Sequence, residues 1–151
     1  MPSIKDQLIL HEGLEIELYK CPAGHWTIGV GRNLEADPLS QEEVLELLKE
    51  QGVTKEIAIK WLDKKIDEIT DQLEQYDWYC SLDDIRKKVI IDMTFNLGLD
   101  GLILFENMIT ALKEEDFKKA AEEMKDSQWY HQVKIRGKRL VKMMRTGEDY
   151  Q

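Results

Sequence analysis

Near the start of the chain, the spacing of apolar residues changes from a helical pattern to a strand pattern. Ile4, Leu8 and Leu10 lie on one side of a helix predicted over residues 3–12. From residue 14 apolar and polar residues alternate, and the alternation resumes at Trp26 after a Cys-Pro-Ala-Gly turn. Because this period is typical of half-buried strands, residues 14–31 predict a small antiparallel β-hairpin sheet.

The rest of the chain is predicted to be helical, so the expected fold class is α+β and mostly helical. Ser40-Gln-Glu-Glu43 is a capping-box signature and opens a helix that reaches about residue 51. A stripe of Ile and Leu predicts a long helix over about residues 54–75. Ser81-Leu-Asp-Asp84 opens another helix that ends near Gly98. Further helices are predicted over about residues 101–112, 115–125 and 134–145.

Length and composition indicate an ordinary globular domain. The 151 residues suffice for one domain with a real core, and 42% are apolar and 34% charged. No apolar run approaches the length of a membrane span, so we expect no membrane insertion. Two cysteines do not make a disulfide framework, which favours synthesis in a reducing cytoplasm.

The net charge of −9 hides a basic segment at residues 131–145. This segment contains six basic residues and no acid, which leaves 15 basic residues against 30 acids in the rest of the chain. Such a segment can bind nucleic acid or hold a buried carboxylate. We expect no nucleic-acid partner, because so acidic a remainder repels phosphates. The six residues are Lys134, Arg136, Lys138, Arg139, Lys142 and Arg145.

One group of residues near the hairpin suggests acid–base chemistry. Glu12 ends the first helix, eight residues separate it from Cys21, and five separate Cys21 from Thr27. Hydrolysis of a glycosidic bond needs an acid on the leaving oxygen and a group on the opposite face of the sugar. A hairpin that folds back brings Cys21 and Thr27 opposite Glu12. No cluster has the spacing of a metal site, so neither a metal nor a cofactor is expected.

These residues also carry a resemblance to a known family. Glu12, Cys21, Thr27 and the following Ile-Gly-Val-Gly resemble the active-site signature of the phage-type lysozymes, the endolysin muramidases. That signature is Glu, eight residues, Asp or Cys, five residues, Thr and then Ile-Gly-x-Gly. The segments at residues 92–108, 127–140 and 144–150 are similar to other parts of the family, so the resemblance covers nearly the whole chain.

The resemblance implies roles for individual residues. Glu12 is the general acid, Cys21 takes the second catalytic position, and Thr27 orients the water or the sugar. Arg136 matches the arginine that pairs with the catalytic glutamate. His11 stands where relatives can carry an acid and Arg32 where histidine is common, so the electrostatic support of Glu12 by these two residues departs from the family pattern. The implied substrate contacts are Asn33, Phe95, Asn96 and Met108.

The resemblance also implies an architecture and a cellular setting. One lysozyme domain spans residues 1–151, with a hairpin-bearing lobe at about 13–53 and a helical lobe of 76–151 plus 1–12. The helix at about 54–75 joins the two lobes. We expect a monomer that acts on peptidoglycan, and that stays in the host cytoplasm until a holin opens the inner membrane.

Two other functions stay open at this point. A lytic transglycosylase uses one acid and forms an anhydro sugar without water, so the missing second carboxylate is compatible with it. An inactive module that only binds peptidoglycan is the other alternative, with Cys21 as the remnant of a lost site. Thr27 at the family spacing favours hydrolysis over transglycosylation, and the presence of Glu12, Thr27 and Arg136 together argues against an inactive module.

Overall fold

A computed structural model describes residues 2–150, and within them helices dominate. About 65% of the chain is helical, and the only other regular element in this range is a small antiparallel sheet, which confirms the mostly helical α+β class. The strands are β1 (Glu15–Lys20), β2 (Trp26–Gly29) and β3 (Arg32–Asn33). The helices are α1 (Ile4–Glu12), α2 (Gln41–Glu50), α3 (Lys55–Leu73), α4 (Asp77–Cys80), α5 (Asp84–Ile103), α6 (Glu106–Lys113), α7 (Phe117–Lys125), α8 (Gln128–Val133) and α9 (Ile135–Thr146).

The chain divides into two compact units, which we describe separately. Lys5–Lys65 form the first unit, which contains the sheet. The second unit contains Ile66 and the following residues, together with the residues up to Ile4. The division falls inside α3 and places nearly all of α1 with the sheet.

The sheet has strand order β1-β2-β3, and both pairs are antiparallel. The predicted hairpin is confirmed, and β3 adds a short third strand. Tyr19 lies opposite Thr27, and Thr27 lies opposite Asn33, so the three side chains form one row on one face of the sheet. The turn closes with hydrogen bonds from Cys21 N to His25 O (2.9 Å) and from Gly24 N to Cys21 O (2.8 Å).

A small apolar cluster stabilises the first unit. Ile28, Ile57 and Trp61 are buried together, which joins β2 to α3. Leu47 of α2 packs against this cluster. The edge strand β1 is mostly exposed, whereas three of the four residues of β2 are buried. The central strand therefore connects the sheet to the helices.

Local capping determines where the helices of the first unit begin. Ser40 Oγ accepts from Glu43 N (3.1 Å) and Glu43 Oε1 accepts from Ser40 N (2.9 Å), which confirms the predicted capping box. Thr54 Oγ1 accepts from Ile57 N (3.2 Å) at the start of α3. Such caps satisfy backbone N–H groups that the helix itself leaves unpaired.

The second unit contains a large apolar core around α5. Its fully buried members include Leu73, Ile90, Met93, Leu102 and Leu140. Asp83 caps α5 by accepting from Arg86 N (3.0 Å), so the cap is Asp83 and the predicted start at Ser81 was two residues early.

Gly98 interrupts α5, with φ +75° and ψ 162°. Residues other than glycine rarely adopt this backbone conformation, so a glycine here favours a break in the helix. The predicted end near Gly98 therefore corresponds to a break in α5, and the helix resumes after it and runs to Ile103. No helix among residues 2–150 combines the length and apolar character that crossing a bilayer needs.

Candidate active site

Glu12 is the last residue of α1 and lies directly against Gly31. Gly31 follows β2 and has φ +62°. A methyl group at this position would have its carbon 2.8 Å from Glu12 Cδ and 3.0 Å from Glu12 Cβ. Both distances are shorter than van der Waals contact. Only a residue without a side chain therefore lets the loop approach the half-buried Glu12 carboxyl group.

The hairpin turn lowers the pKa of the Cys21 thiol. The backbone N–H of His25 is the largest influence that lowers the pKa of Cys21, and partial burial opposes it. The N–H of Ala23, the hydroxyl of Thr27 and the N–H of Gly24 lower this pKa further. The turn therefore favours the thiolate form of Cys21, which is a free cysteine.

Thr27 lies on β2, the central strand of the sheet. Its side chain is 2% exposed, and Oγ1 donates to His25 O at 2.9 Å. A hydroxyl carries one proton and two lone pairs, so Thr27 can donate to either the His25 carbonyl or the sulfur, but not to both at once. The hydroxyl can therefore change its partner when Cys21 gains or loses its proton.

Tyr19 lies beside the predicted site residues, and the sequence reasoning missed it. It lies opposite Thr27 in the sheet, so these two side chains share one face. Burial raises the pKa of Tyr19, and the negative charges of Glu12, Glu15 and Cys21 raise it further. The phenol is therefore neutral at neutral pH and lies close to both Glu12 and Cys21.

Arg32 holds the loop before α2 in place. Its guanidinium donates to both carboxylate oxygens of Glu43, at 2.5 and 3.0 Å. It also donates to the backbone oxygens of Asp37 (3.1 Å) and Pro38 (3.0 Å), and it lies 4.9 Å from the ring centre of Trp61. The hydrogen bond from Arg32 is the main reason that the pKa of Glu43 falls from 4.5 to about 2.

Asn33 and His11 are the remaining predicted site residues of the first unit. Asn33 Oδ1 accepts from the backbone N–H groups of Glu35 (2.9 Å) and Ala36 (3.3 Å), so this side chain stabilises the turn after β3. His11 is half-buried in the last turn of α1. The role of Asn33 in binding substrate stays a prediction, as does electrostatic support of Glu12 by His11 and Arg32.

In the second unit, Arg136 binds a buried carboxylate. Its Nε donates to Asp92 Oδ1 at 2.8 Å, and Asp92 is fully buried. Of the two roles predicted for the basic segment, holding a buried acid is thus confirmed at Arg136. Pairing of Arg136 with Glu12 stays a prediction.

Three predicted substrate contacts also lie in the second unit. Asn96 is exposed and its Oδ1 accepts from Trp129 Nε1 at 2.8 Å, whereas Phe95 is half-buried against the core. Met108 is only 1% exposed and is part of the core. Contact of Phe95 and Asn96 with substrate stays a prediction. Residues 2–150 contain no group of three or more His, Cys, Asp or Glu side chains suited to a metal ion.

Comparison with known proteins identifies the family. The family model described as Phage lysozyme matches residues 10–146. The chain belongs to the phage lysozyme family. This lysozyme-family chain is 32% identical to Probable T4-type lysozyme 1 of Dictyostelium discoideum, with 96% of this chain and 95% of the relative covered. It is 30% identical to the Endolysin of Acyrthosiphon pisum secondary endosymbiont phage 1, over 85% of this chain and 77% of that protein.

A third relative is a much larger protein. The Pre-baseplate central spike protein Gp5 of Enterobacteria phage T4 is 25% identical over 96% of this chain, which corresponds to 28% of that protein. The family membership makes this chain a lysozyme-type glycoside hydrolase with a role in lysis of the cell wall. Catalytic roles for Glu12, Cys21 and Thr27 stay predictions.

Proposed function

We propose that this chain is an endolysin that hydrolyses the β-1,4 bond between N-acetylmuramic acid and N-acetylglucosamine in bacterial peptidoglycan. Its family and its similarity to a protein named Endolysin support the proposal. The observation that carries it is the packing of the half-buried Glu12 carboxyl group against Gly31, and the lowered pKa of the Cys21 thiol supports it. A thiolate at this position replaces the carboxylate that a glycosidase uses to activate water.

Glu12 acts as the general acid in this proposal. A general acid donates its proton to the glycosidic oxygen as the bond to the anomeric carbon breaks. The reaction requires the carboxyl group to keep one orientation, because misplacement by about 1 Å can reduce the rate by a hundredfold. The contact with Gly31 restricts that orientation from one side.

Cys21 and Thr27 activate the attacking water. The thiolate accepts a proton from water while the water oxygen bonds to the anomeric carbon, and Thr27 holds the water or the thiolate through its hydroxyl. The proton lost by Glu12 stays on the departing sugar hydroxyl. Exchange with solvent then returns a proton to Glu12 and removes one from Cys21, so that one water is consumed in each cycle. Attack by water opposite the leaving group implies inversion of configuration.

Other residues support the reaction in this proposal. Arg136, Arg32 and His11 supply positive charge that orients the Glu12 carboxyl group in this proposal. The sugar strand and its peptide contact Asn33, Phe95 and Asn96 in this proposal. Met108 is excluded from these contacts, because it is 1% exposed and part of the core.

The test is mass spectrometry of fragments released from purified peptidoglycan. We expect the parent protein to release disaccharide–peptides with a free reducing end, and Glu12→Gln to release none while its circular dichroism spectrum is unchanged. Glu17→Gln is the matched control, because Glu17 is an exposed acid of β1. If Glu12→Gln released fragments as fast as the parent, Glu12 would not be the general acid.

The same measurement separates the two alternative functions. Fragments that end in an anhydro sugar, lighter by one water, would identify a lytic transglycosylase. Binding to peptidoglycan without any released fragment would identify an inactive binding module. The adjacent Cys21 and Thr27 groups favour hydrolysis, because a transglycosylase needs no water activator.

The proposal includes a cellular setting. The endolysin accumulates in the host cytoplasm as a monomer, and a holin then opens the inner membrane so that the enzyme reaches the peptidoglycan. Co-expression tests this order: we expect lysis of cells that contain both proteins and continued growth of cells that contain the endolysin alone. Lysis without the holin would contradict the proposed dependence.

A further inference from the structure

Helix α2 presents an apolar surface to solvent. None of its ten residues is buried, and three large apolar side chains on it are among the most exposed in the chain. Val44 is 42% exposed, Leu45 is 65% exposed and Leu48 is 72% exposed. Leu47 alone packs on the apolar cluster of the unit, so the other three are not needed to hold α2 in place. We call Val44, Leu45 and Leu48 the α2 patch.

A groove with a strongly acidic rim lies beside the α2 patch. It has a volume of about 550 Å³, and Leu45 and Ile57 form part of its floor. Four of its eight lining residues are glutamates, and one is a lysine. Glu46 forms an ion pair with Lys60 at 2.7 Å, while Glu42, Glu50 and Glu56 are exposed. The surface thus combines exposed leucines with a net negative charge.

The chemistry of this surface indicates its occupant. A contiguous apolar patch with a polar rim is typical of a protein-interaction site. The acidic rim favours a partner with positive charges beside its apolar residues. Two copies of α2 packed on each other would bring the glutamates of both copies together, so a symmetric dimer through this surface is disfavoured.

We propose that the α2 patch and the adjoining groove bind a basic amphipathic helix of a partner protein. Ten residues of α2 present about 15 Å of surface, which matches two to three turns of a bound helix. Leucines of the bound helix fill the groove between Leu45 and Ile57, and its lysines or arginines face Glu42, Glu50 and Glu56. This binding goes beyond the proposed hydrolysis and does not depend on it.

The test uses a labelled synthetic peptide of about 14 residues, made of Leu and Lys at helical spacing. Its comparison peptide has the same composition in an order without helical periodicity. We expect the helical peptide to bind in a fluorescence anisotropy titration at low salt, and the double variant Leu45→Ser/Leu48→Ser to bind it at least about tenfold more weakly. Leu104→Ser is the matched control, because Leu104 is 76% exposed elsewhere in the chain and its loss should leave the affinity unchanged.

Substitution of the glutamates at the rim of the groove tests the proposal independently of the leucines. The double variant Glu42→Gln/Glu50→Gln should bind more weakly at low salt and show less dependence on salt than the parent. Equal binding of both peptides, or equal loss in Leu104→Ser, would overturn the proposal. A parent dimer in sedimentation experiments that Leu45→Ser/Leu48→Ser disperses would also overturn it, because a second copy would then be the occupant.

Discussion

The carboxyl group of Glu12 lies so close to Gly31 that no side chain fits between them. This contact joins the end of α1 to the short segment between β2 and β3. Glu12, the proposed general acid, is therefore positioned by backbone atoms of Gly31. Backbone atoms are less mobile than the side chain of a neighbouring residue. A substitution at Gly31 consequently tests the position of Glu12 without altering its chemistry.

We predict that Gly31→Ala abolishes most of the lytic activity. The added methyl group displaces the Glu12 carboxyl group, and the positive φ costs about 1 kcal/mol of unfolding free energy. Clearing of cell-wall suspensions measures the activity, and thermal unfolding measures the stability. Gly52→Ala is the control, because Gly52 also has a positive φ (128°) but its added methyl group meets nothing within 4 Å. Full activity in Gly31→Ala would contradict the proposed position of the acid.

Alkylation should reveal the lowered pKa of Cys21. In a Cys80→Ser background, the rate of reaction with iodoacetamide follows the thiolate fraction. We predict that the midpoint of its pH profile lies lower in the folded protein than in the same protein unfolded in urea. Thr27→Val removes one donor to the sulfur, so it should move the folded midpoint upward. Identical midpoints for folded and unfolded protein would show that the turn does not favour the thiolate.

Replacement of the thiol by a carboxyl group should move the acid limb of the pH–activity profile. Activity of the parent falls as the pH decreases through the pKa of Cys21, because a protonated thiol accepts no proton from water. Aspartate ionises at much lower pH, so Cys21→Asp should move this limb down by more than about 2 pH units. Cys21→Ser, which ionises in neither range, should lose most of the activity. An unmoved limb in Cys21→Asp would assign the pH dependence to another group.

The Arg32–Glu43 ion pair should stabilise the protein only above acidic pH. The pKa of Glu43 is about 2 when folded and 4.5 ordinarily, so its contribution is complete above 4.5 and is lost as the pH falls towards 2. We predict that Glu43→Gln lowers the unfolding free energy by about 1.5–3 kcal/mol at pH 7 and by much less at pH 2. Urea unfolding at both pH values measures this difference. Glu42→Gln, an exposed neighbour, should change stability little at either pH.

Among single substitutions in the basic segment (residues 131–145), replacement of Arg136, which binds Asp92, should reduce the unfolding free energy most. Arg136→Met leaves a fully buried carboxylate without its guanidinium, for which we predict a loss of about 3–5 kcal/mol in unfolding free energy. Lys138→Met is the control on the same helix, because Lys138 is exposed and its replacement should cost less than about 0.5 kcal/mol. Equal stability of the two variants in urea would contradict a structural role for Arg136.

Elements that depend on neighbouring residues could be predicted from the sequence. The Ser40–Glu43 capping box and the Thr54 cap join residues three positions apart, so their spacing is visible in the sequence. The strands β1 and β2 follow from alternation over several residues. In contrast, β3 has two residues and α4 has four, which is too short for any period to appear. The short helix α8 was missed for the same reason.

Contacts between distant residues could not be predicted in the same way. Arg32 and Glu43 are eleven positions apart, and Arg136 and Asp92 are 44 positions apart, so no local pattern joins them. The proposed catalytic residues Glu12, Cys21 and Thr27 were found through a family spacing, whereas Tyr19 carries no such signature. It becomes visible only when the register places it opposite Thr27.

Three of the four donors that lower the pKa of Cys21 belong to the main chain, so they remain in place whichever side chain occupies position 21. A substitution there can therefore exchange a thiol for a carboxyl group while these N–H groups stay the same. Such an exchange is expected to change the pH range in which the enzyme works and to leave the hairpin intact.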